Sequence, residues 1–191
     1  KPFRLADIVN GLNLQMFLYL FNVCADGSNP YAGVPAGVLY MHAARSVMTV
    51  ETKSSAEKDI AGQEDKAFGM NGIVITNPDC DIPAAMEHDL AGKYIPVRLK
   101  KSGVGGSLAS LEQLGLLQRK IEALVADMGN ALQNGQIGQH PVQAKDHDKT
   151  CEYCDFASVC AFKKSVTPRT YDDQTDSAVL AELEKEGESH A

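Results

Sequence analysis

Ser110-LEQLGLLQRKIEALVADMGNALQ-Asn134 is the most regular stretch of the chain. Leu111, Leu114, Leu117, Ile121, Leu124, Val125, Met128 and Leu132 recur at helical spacing. The pattern predicts a long amphipathic helix with its apolar stripe laid on a core. Ser110 with Gln113 fits a capping box, and Gly135 fits the stop. Upstream, the runs read as short strands. Tyr94 to Lys100 (YIPVRLK) alternates weakly, and Pro96 demotes it to an edge. Gly72 to Ile75 (GIVI) and Ala36 to Met41 (AGVLYM) are apolar and bounded by turn residues. Strands interleaved with helices give an α/β class.

Further out, the pattern is less regular. Lys101 to Ser107 is glycine-rich and reads as a turn or mobile loop. Ile82 to His88 reads as a helix with Pro83 in its first turn. Thr52 to Lys66 is polar and charged, as in a loop or an exposed helix. Near the start, Asp7 to Val23 reads as one helix. Leu12, Met16 and Tyr19 share a face, and Leu14, Phe17, Leu18 and Phe21 fill most of the rest. Such all-round apolarity predicts burial on several sides. Downstream of the long helix, Gly138 to Lys149 is a polar connector containing Pro141, and a cysteine cluster follows. No internal repeat is visible.

With 191 residues and 44% hydrophobic side chains, the chain can bury a real core and is not disordered throughout. The longest apolar run, Leu14 to Val23, is broken by Gln15 and Asn22, so no membrane span is expected. No basic-then-apolar leader opens the chain, which starts on Lys1 as a piece of a longer protein would. The net charge of −7 argues at first against nucleic acid. From Tyr171 to Ala191, however, seven acids face the single base Lys185, leaving 17 bases against 18 acids elsewhere. The acidic end reads as a solvated or frayed tail, and a near-neutral body can still carry a basic groove.

Five cysteines without a leader speak against a secreted disulfide framework. Three of them crowd into Cys151-Glu-Tyr-Cys154-Asp-Phe-Ala-Ser-Val-Cys160. A turn holding Cys151 and Cys154 can aim both thiolates at one point, and Cys160 can reach it after a short helical turn. Soft thiolates suit an iron–sulfur cluster or zinc, with His147 or His140 as a possible fourth zinc ligand. Spacing alone leaves these two open, with buried cysteines acting as small hydrophobes as the bland reading.

Gln15 and Tyr19, four apart, share one helix face, and both need partners if buried. Taken by themselves, the residues favour an ordinary amphipathic position with the tyrosine hydroxyl reaching solvent. Lys100–Lys101, followed by Ser102 and Gly103, can touch phosphates at a strand end or form a solvated turn. His42 can be a ligand or base but fits a structural role. Cys24 and Cys80 have no partners at ligand spacing. The chain has no glycine-rich phosphate loop of the Walker type, so it is not a motor by itself. On adjacent strands there is also no Asp paired with a following (Asp/Glu)-x-Lys, the arrangement in which carboxylates hold magnesium for phosphodiester hydrolysis.

These pieces in this order resemble one family. Leu5 to Leu20 (LADIVNGLNLQMFLYL), with its Gln15-x-x-x-Tyr19 motif, is similar to the segment after the catalytic strand of RecB-type PD-(D/E)XK nucleases. Pro35 to His42, Gly69 to Ile75, Tyr94 to Gly103 and the long helix resemble the AddB subunits of AddAB helicase–nucleases. Gly135 to Pro141 followed by the three cysteines looks like the iron–sulfur staple of that family. The likeness covers roughly residues 3 to 163. It implies an α/β fold: an incomplete restriction-endonuclease-like core, a mixed sheet flanked by helices, with a C-terminal iron–sulfur-binding segment. Residues 1–150 would be the end of the nuclease domain, 151–165 the staple and 166–191 the flexible acidic tail.

The resemblance further implies that Gln15 and Tyr19 line a catalytic site. Cys151, Cys154 and Cys160 would share a 4Fe-4S cluster with a fourth cysteine upstream, and Mg2+ would serve the intact nuclease. An AddA-type helicase–nuclease subunit and DNA would be the partners, in the cytoplasm, with resection of double-strand breaks as the task. The metal-binding carboxylates, the catalytic lysine and the fourth cysteine would precede Lys1, so this piece alone is expected not to cut DNA. Three other readings compete, one of them a bland soluble domain with reactive thiols and no bound metal. CRISPR adaptation nucleases share the Gln-x-x-x-Tyr motif and a similar cluster but are more compact than the roughly 130 residues between Tyr19 and Cys151 here. A zinc-stapled module binding DNA or protein would be no enzyme.

Overall fold

The computed structural model describes residues 3–43, 67–144, 154–160 and 168–189. The chain folds as two compact units, one of Lys1–Phe3 with Gln15–Gly115, the other of Arg4–Leu14 with Leu116–Ala191. In chain order the elements are α1 (Leu5–Val9), α2 (Gln15–Ala25), β1 (Gly37–Tyr40), β2 (Asn71–Thr76), α3 (Ile82–Met86), β3 (Val97–Lys100), β4 (Gly103–Gly106), β5 (Leu108–Ser110) and α4 (Leu111–Gln133). After these come β6 (Val142–Ala144), α5 (Ala157–Cys160), β7 (Arg169–Tyr171) and α6 (Asp176–Ser189).

The first unit is built on a mixed sheet of order β1-β2-β5, with β1 antiparallel and β5 parallel to β2. β2 is central because Gly72, Ile73, Val74 and Ile75 are buried in succession, as in a strand covered on both faces. Gly72 sits at φ +148, where an added Cβ would lie 2.0 Å from the Val38 carbonyl oxygen of β1. Only glycine lets the two strands meet there. α2 packs on β1 and α3 on β2. Asp81 caps α3 by accepting from Ala84 N at 3.2 Å, and Pro83 stands in its first turn. Val74, Ile82, Leu90, Ile95 and Val97 close the core beneath. The α/β class and the small mixed sheet flanked by helices therefore stand.

Several elements differ from the sequence expectation. The single helix over Asp7 to Val23 is two helices, because Gly11 at φ +87 and Asn13 at φ +56 turn the chain between them. α2 buries Phe17 fully but leaves Leu18 and Tyr19 exposed, so it is not covered on all sides. The glycine-rich loop is strand β4, which pairs with β3 in a separate two-stranded sheet. The run from Tyr94 is strand only from Val97, past Pro96. The segment Thr52 to Lys66 lies outside the described residues.

α4, most of which belongs to the second unit, forms as expected and stops at Gly135. The expected capping box is present: Gln113 N donates to Ser110 Oγ at 3.1 Å, and Ser110 N donates to Gln113 Oε1 at 2.8 Å. The polar connector contains β6, paired in parallel with β7. The acidic end, expected to be frayed, is helix α6, with Val179, Leu180 and Leu183 buried, Asp176 half-buried and Glu182, Glu184, Glu186 and Glu188 exposed.

Candidate functional site

Gln15 opens α2 and Tyr19 stands one turn on, so the helix places both side chains on one face. Gln15 Nε2 donates to Tyr19 Oη at 2.7 Å. Tyr19 is 55% exposed and Gln15 is exposed as well, so the pair faces outward rather than into the core. Phe17, between them in sequence, points the other way and is fully buried against Phe3 and Phe21, with ring centroids 6.2 and 6.0 Å away. The alternation anchors the helix by its aromatic face and offers an amide–phenol pair to a ligand. The phenol keeps its O–H to donate, and the amide keeps its oxygen to accept.

Cys154 and Cys160 of the cysteine cluster fall in the second unit. Cys154 is exposed at the start of a turn, and Cys160 is half-buried at the end of α5. Both are free thiols. Gln139 Nε2 donates to the Cys160 carbonyl at 2.9 Å, tying α5 to the segment after α4. The segment between β6 and β7 carries all three cysteines, and the pairing of Val142 with Arg169 and Ala144 with Tyr171 closes it at its base. Cys151 and His147 lie outside the described residues, and His140 is exposed. Among the described residues, no three His, Cys, Asp or Glu side chains converge as a metal site.

Lys100 ends β3 and Lys101 begins the turn to β4, both exposed. His42 lies exposed two residues past β1, Cys24 is half-buried near the end of α2, and Cys80 sits in an exposed turn bridged to Asn77.

Two buried carboxylates escaped the sequence reading. Asp7 lies in α1, 1% exposed. It pairs with Arg4 Nη2 at 2.8 Å and accepts from Tyr171 Oη at 2.5 Å and Asn13 Nδ2 at 3.3 Å. Burial, and then the bond to Asp7, push the Tyr171 phenol well above its ordinary range. The only signal in the sequence was the Arg4–Asp7 spacing of three; Tyr171 is 164 residues from Asp7. Glu87 is the other, in the first unit. It accepts from Lys93 N at 2.8 Å and from Tyr94 N and Ile95 N at 3.0 Å each. Burial alone would raise its carboxyl, but these backbone donors hold it below the usual carboxylate range.

A model of the PD-(D/E)XK nuclease superfamily matches residues 1–161. The chain belongs to the PD-(D/E)XK nuclease superfamily. Its sheet, mixed and flanked by helices, is consistent with that fold. The chain is similar to proteins named as the B subunit of an ATP-dependent helicase/deoxyribonuclease. It is 30% identical over 199 residues to the one from Bacillus thuringiensis (strain Al Hakam), covering 97% of this chain and 17% of that protein. It is 31% identical over 202 residues to that of Oceanobacillus iheyensis, covering 100% and 17%. The Bacillus anthracis protein is 30% identical over 199 residues, covering 97% and 17%. The chain thus spans about a sixth of the length of the curated relatives it matches. Gln15 and Tyr19 lie within the matched residues 1–161.

Proposed function

We propose that this chain is the C-terminal nuclease segment of an AddB-type subunit, working with an AddA-type helicase–nuclease partner on DNA in the cytoplasm. The reaction is hydrolysis of a phosphodiester bond in one strand, as an exonuclease resecting double-strand breaks. The observation that carries this reading is the Gln15–Tyr19 hydrogen bond on the solvent side of α2, in a chain matched by the nuclease family over residues 1–161. The bond fixes both side chains. It leaves the Tyr19 O–H free to donate to a phosphate oxygen and the Gln15 Oε1 to accept from a water.

Magnesium, when bound to the intact protein, would supply Lewis acidity to the phosphate. The described residues do not bring together a carboxylate set for it. Cys154 and Cys160 fit a thiolate-ligated cluster in donor chemistry, and with Cys151 they would hold a 4Fe-4S group as a staple. Such a staple would restrict the unfolded chain by closing a long loop.

Three experiments test the reading. The 191-residue piece, incubated with magnesium and linear DNA, is expected to leave the DNA intact; cleavage that survives repurification would contradict that. In the full-length protein, Tyr19→Phe and Gln15→Ala should each lower the cleavage rate roughly 10- to 100-fold while leaving strand affinity within about threefold. Unchanged rates in both would remove the pair from the site. Anaerobic preparations of the full-length protein should contain iron; tightly bound zinc at one per chain with no iron would favour a stapled binding module instead.

A further inference from the structure

Between Asp89 and Glu112 the chain carries four cations, Lys93, Arg98, Lys100 and Lys101, and no acid, although its net charge is −7. The fold gathers these cations. β3 and β4 pair in antiparallel register, with Arg98 opposite Gly105 and Lys100 opposite Gly103. Arg98 and Lys100, two apart, share one face of the hairpin. Their cross-strand partners have no side chains, so that face consists of two cations over bare backbone. The Lys100 stem lies across Gly105, its Cδ, Cε and Nζ each 3.3 Å from where a Cβ would be. The Arg98 stem runs beside Gly92, its Cβ 3.0 Å and Cδ 3.7 Å from the corresponding position there, which brings the Lys93 turn alongside.

That turn is held from below. The buried Glu87 accepts the N–H groups of Lys93, Tyr94 and Ile95, so its carboxylate is occupied by backbone. Lys93 lies over the Tyr94 ring, 5.1 Å from its centroid. Among the described residues, no carboxylate forms an ion pair with Arg98, Lys100 or Lys101. A cavity of about 260 Å³, lined in part by Gly92, Pro96, Arg98, Lys100 and Gly106, opens at the foot of the hairpin.

We infer that the Arg98–Lys100 face of the β3–β4 hairpin binds the phosphodiester backbone of a single DNA strand. Cations without carboxylate partners neutralise phosphates, and the bare glycines let the sugar–phosphate chain approach the backbone closely. An acidic protein surface would also be attracted by the charge. The hairpin positions on this face are Arg98, Lys100, Gly103 and Gly105, with no apolar side chain among them, which favours phosphates over a protein partner, whose interface would want an apolar centre. Lys101 lies in the turn, off that face. The inference rests on the nuclease reading only for its choice of DNA as the ligand.

The test uses the full-length protein and a fluorescent single-stranded oligonucleotide, with affinity measured across a salt series. Arg98→Gln with Lys100→Gln should flatten the slope of log affinity against log salt by about 1.4, at roughly 0.7 per lost single-strand phosphate contact. Affinity at low salt should fall roughly tenfold. Lys101→Gln should produce less than half the effect of Lys100→Gln alone. Both positions are exposed, and the melting temperature of the double variant should match wild type. An unchanged slope in the double variant overturns the inference. So does an unchanged slope accompanied by loss of the helicase partner on copurification, which would make the face a protein contact. If wild type fails to cleave DNA with magnesium but the slope still flattens, the nuclease reading falls and the strand-binding face stands.

Discussion

Glu87 is 6% exposed yet carries a carboxylate whose oxygens accept from three successive backbone N–H groups. Glu87→Gln keeps the shape but offers one acceptor oxygen and a misplaced donor, and should destabilise the protein by about 1–3 kcal/mol at neutral pH. Its folded carboxyl is depressed below the ordinary 4.5, burial being outweighed by the backbone donors. A depressed carboxyl stabilises the fold above the unfolded value, and that stability is lost as pH falls through the folded one. The difference between wild type and Glu87→Gln in urea titrations should therefore be constant above about pH 5 and shrink on acidification. A pH-independent difference would mean the cage is not formed. No local pattern marked Glu87 in the sequence, because its partners lie six to eight residues on, in a turn whose shape the carboxylate itself sets. Gln15 and Tyr19 were legible because helical spacing alone brings them together. The cysteine motif was legible as chemistry, but the convergence of its thiols depends on tertiary placement that spacing does not encode.

At the scale of elements, α4 was readable because its stripe, cap and stop agree with one another. Ser110→Ala removes the acceptor for Gln113 N and should cost about 1 kcal/mol, seen as a lower urea midpoint with unchanged slope. Loss of less than about 0.3 kcal/mol would mean that water replaces the cap. In β2, Gly72→Ala should be far worse, since a Cβ 2.0 Å from the Val38 oxygen can be relieved only by parting β1 from β2. Failure to accumulate in soluble form, or loss of at least about 3 kcal/mol, is expected. Near-native stability would contradict the close approach of these strands. Two of the misread elements share one cause, which is that glycine is ambiguous in sequence. At Gly11 it breaks a pattern that looked like a continuous helix. In the run Gly103–Gly106 it serves as strand, since pairing with β3 supplies the ladder that composition did not announce. α6 was misread for a different reason: seven acids conceal a sparse apolar stripe, Val179, Leu180 and Leu183, that is enough to dock a helix.

On the scale of the whole molecule, the second unit takes its material from distant parts of the chain, residues 4–14 and 116–191. Leu5 N, at the start of α1, donates to Asp176 Oδ1 at 2.8 Å, across 171 residues. Arg169 reaches the Asn10 carbonyl at 3.1 Å, and Tyr171 reaches Asp7 at 2.5 Å. α1 has five residues, too short to be stable in isolation, so these bonds and its packing on α6 must hold it. Tyr171→Phe should cost about 1–3 kcal/mol by leaving the Asp7 carboxylate short of a donor in a buried site. Tyr171 has a folded phenol raised above the ordinary 10.0, first by burial and then by Asp7. A raised phenol adds stability that is complete below the unfolded value and lost as pH climbs toward the folded one. Wild type should therefore lose stability above about pH 10, and the phenylalanine variant should lack that part of the decline. Removing the chain from Arg169 onward deletes β7 and α6 together. Amide exchange at Leu5–Val9 should then accelerate to nearly the rate of an unfolded peptide, while Ile73–Ile75 in β2 stay protected by their own sheet. Continued protection of Leu5–Val9 in the truncated chain would show that α1 is held by other contacts. Loss of protection in β2 as well would show that the two units unfold together.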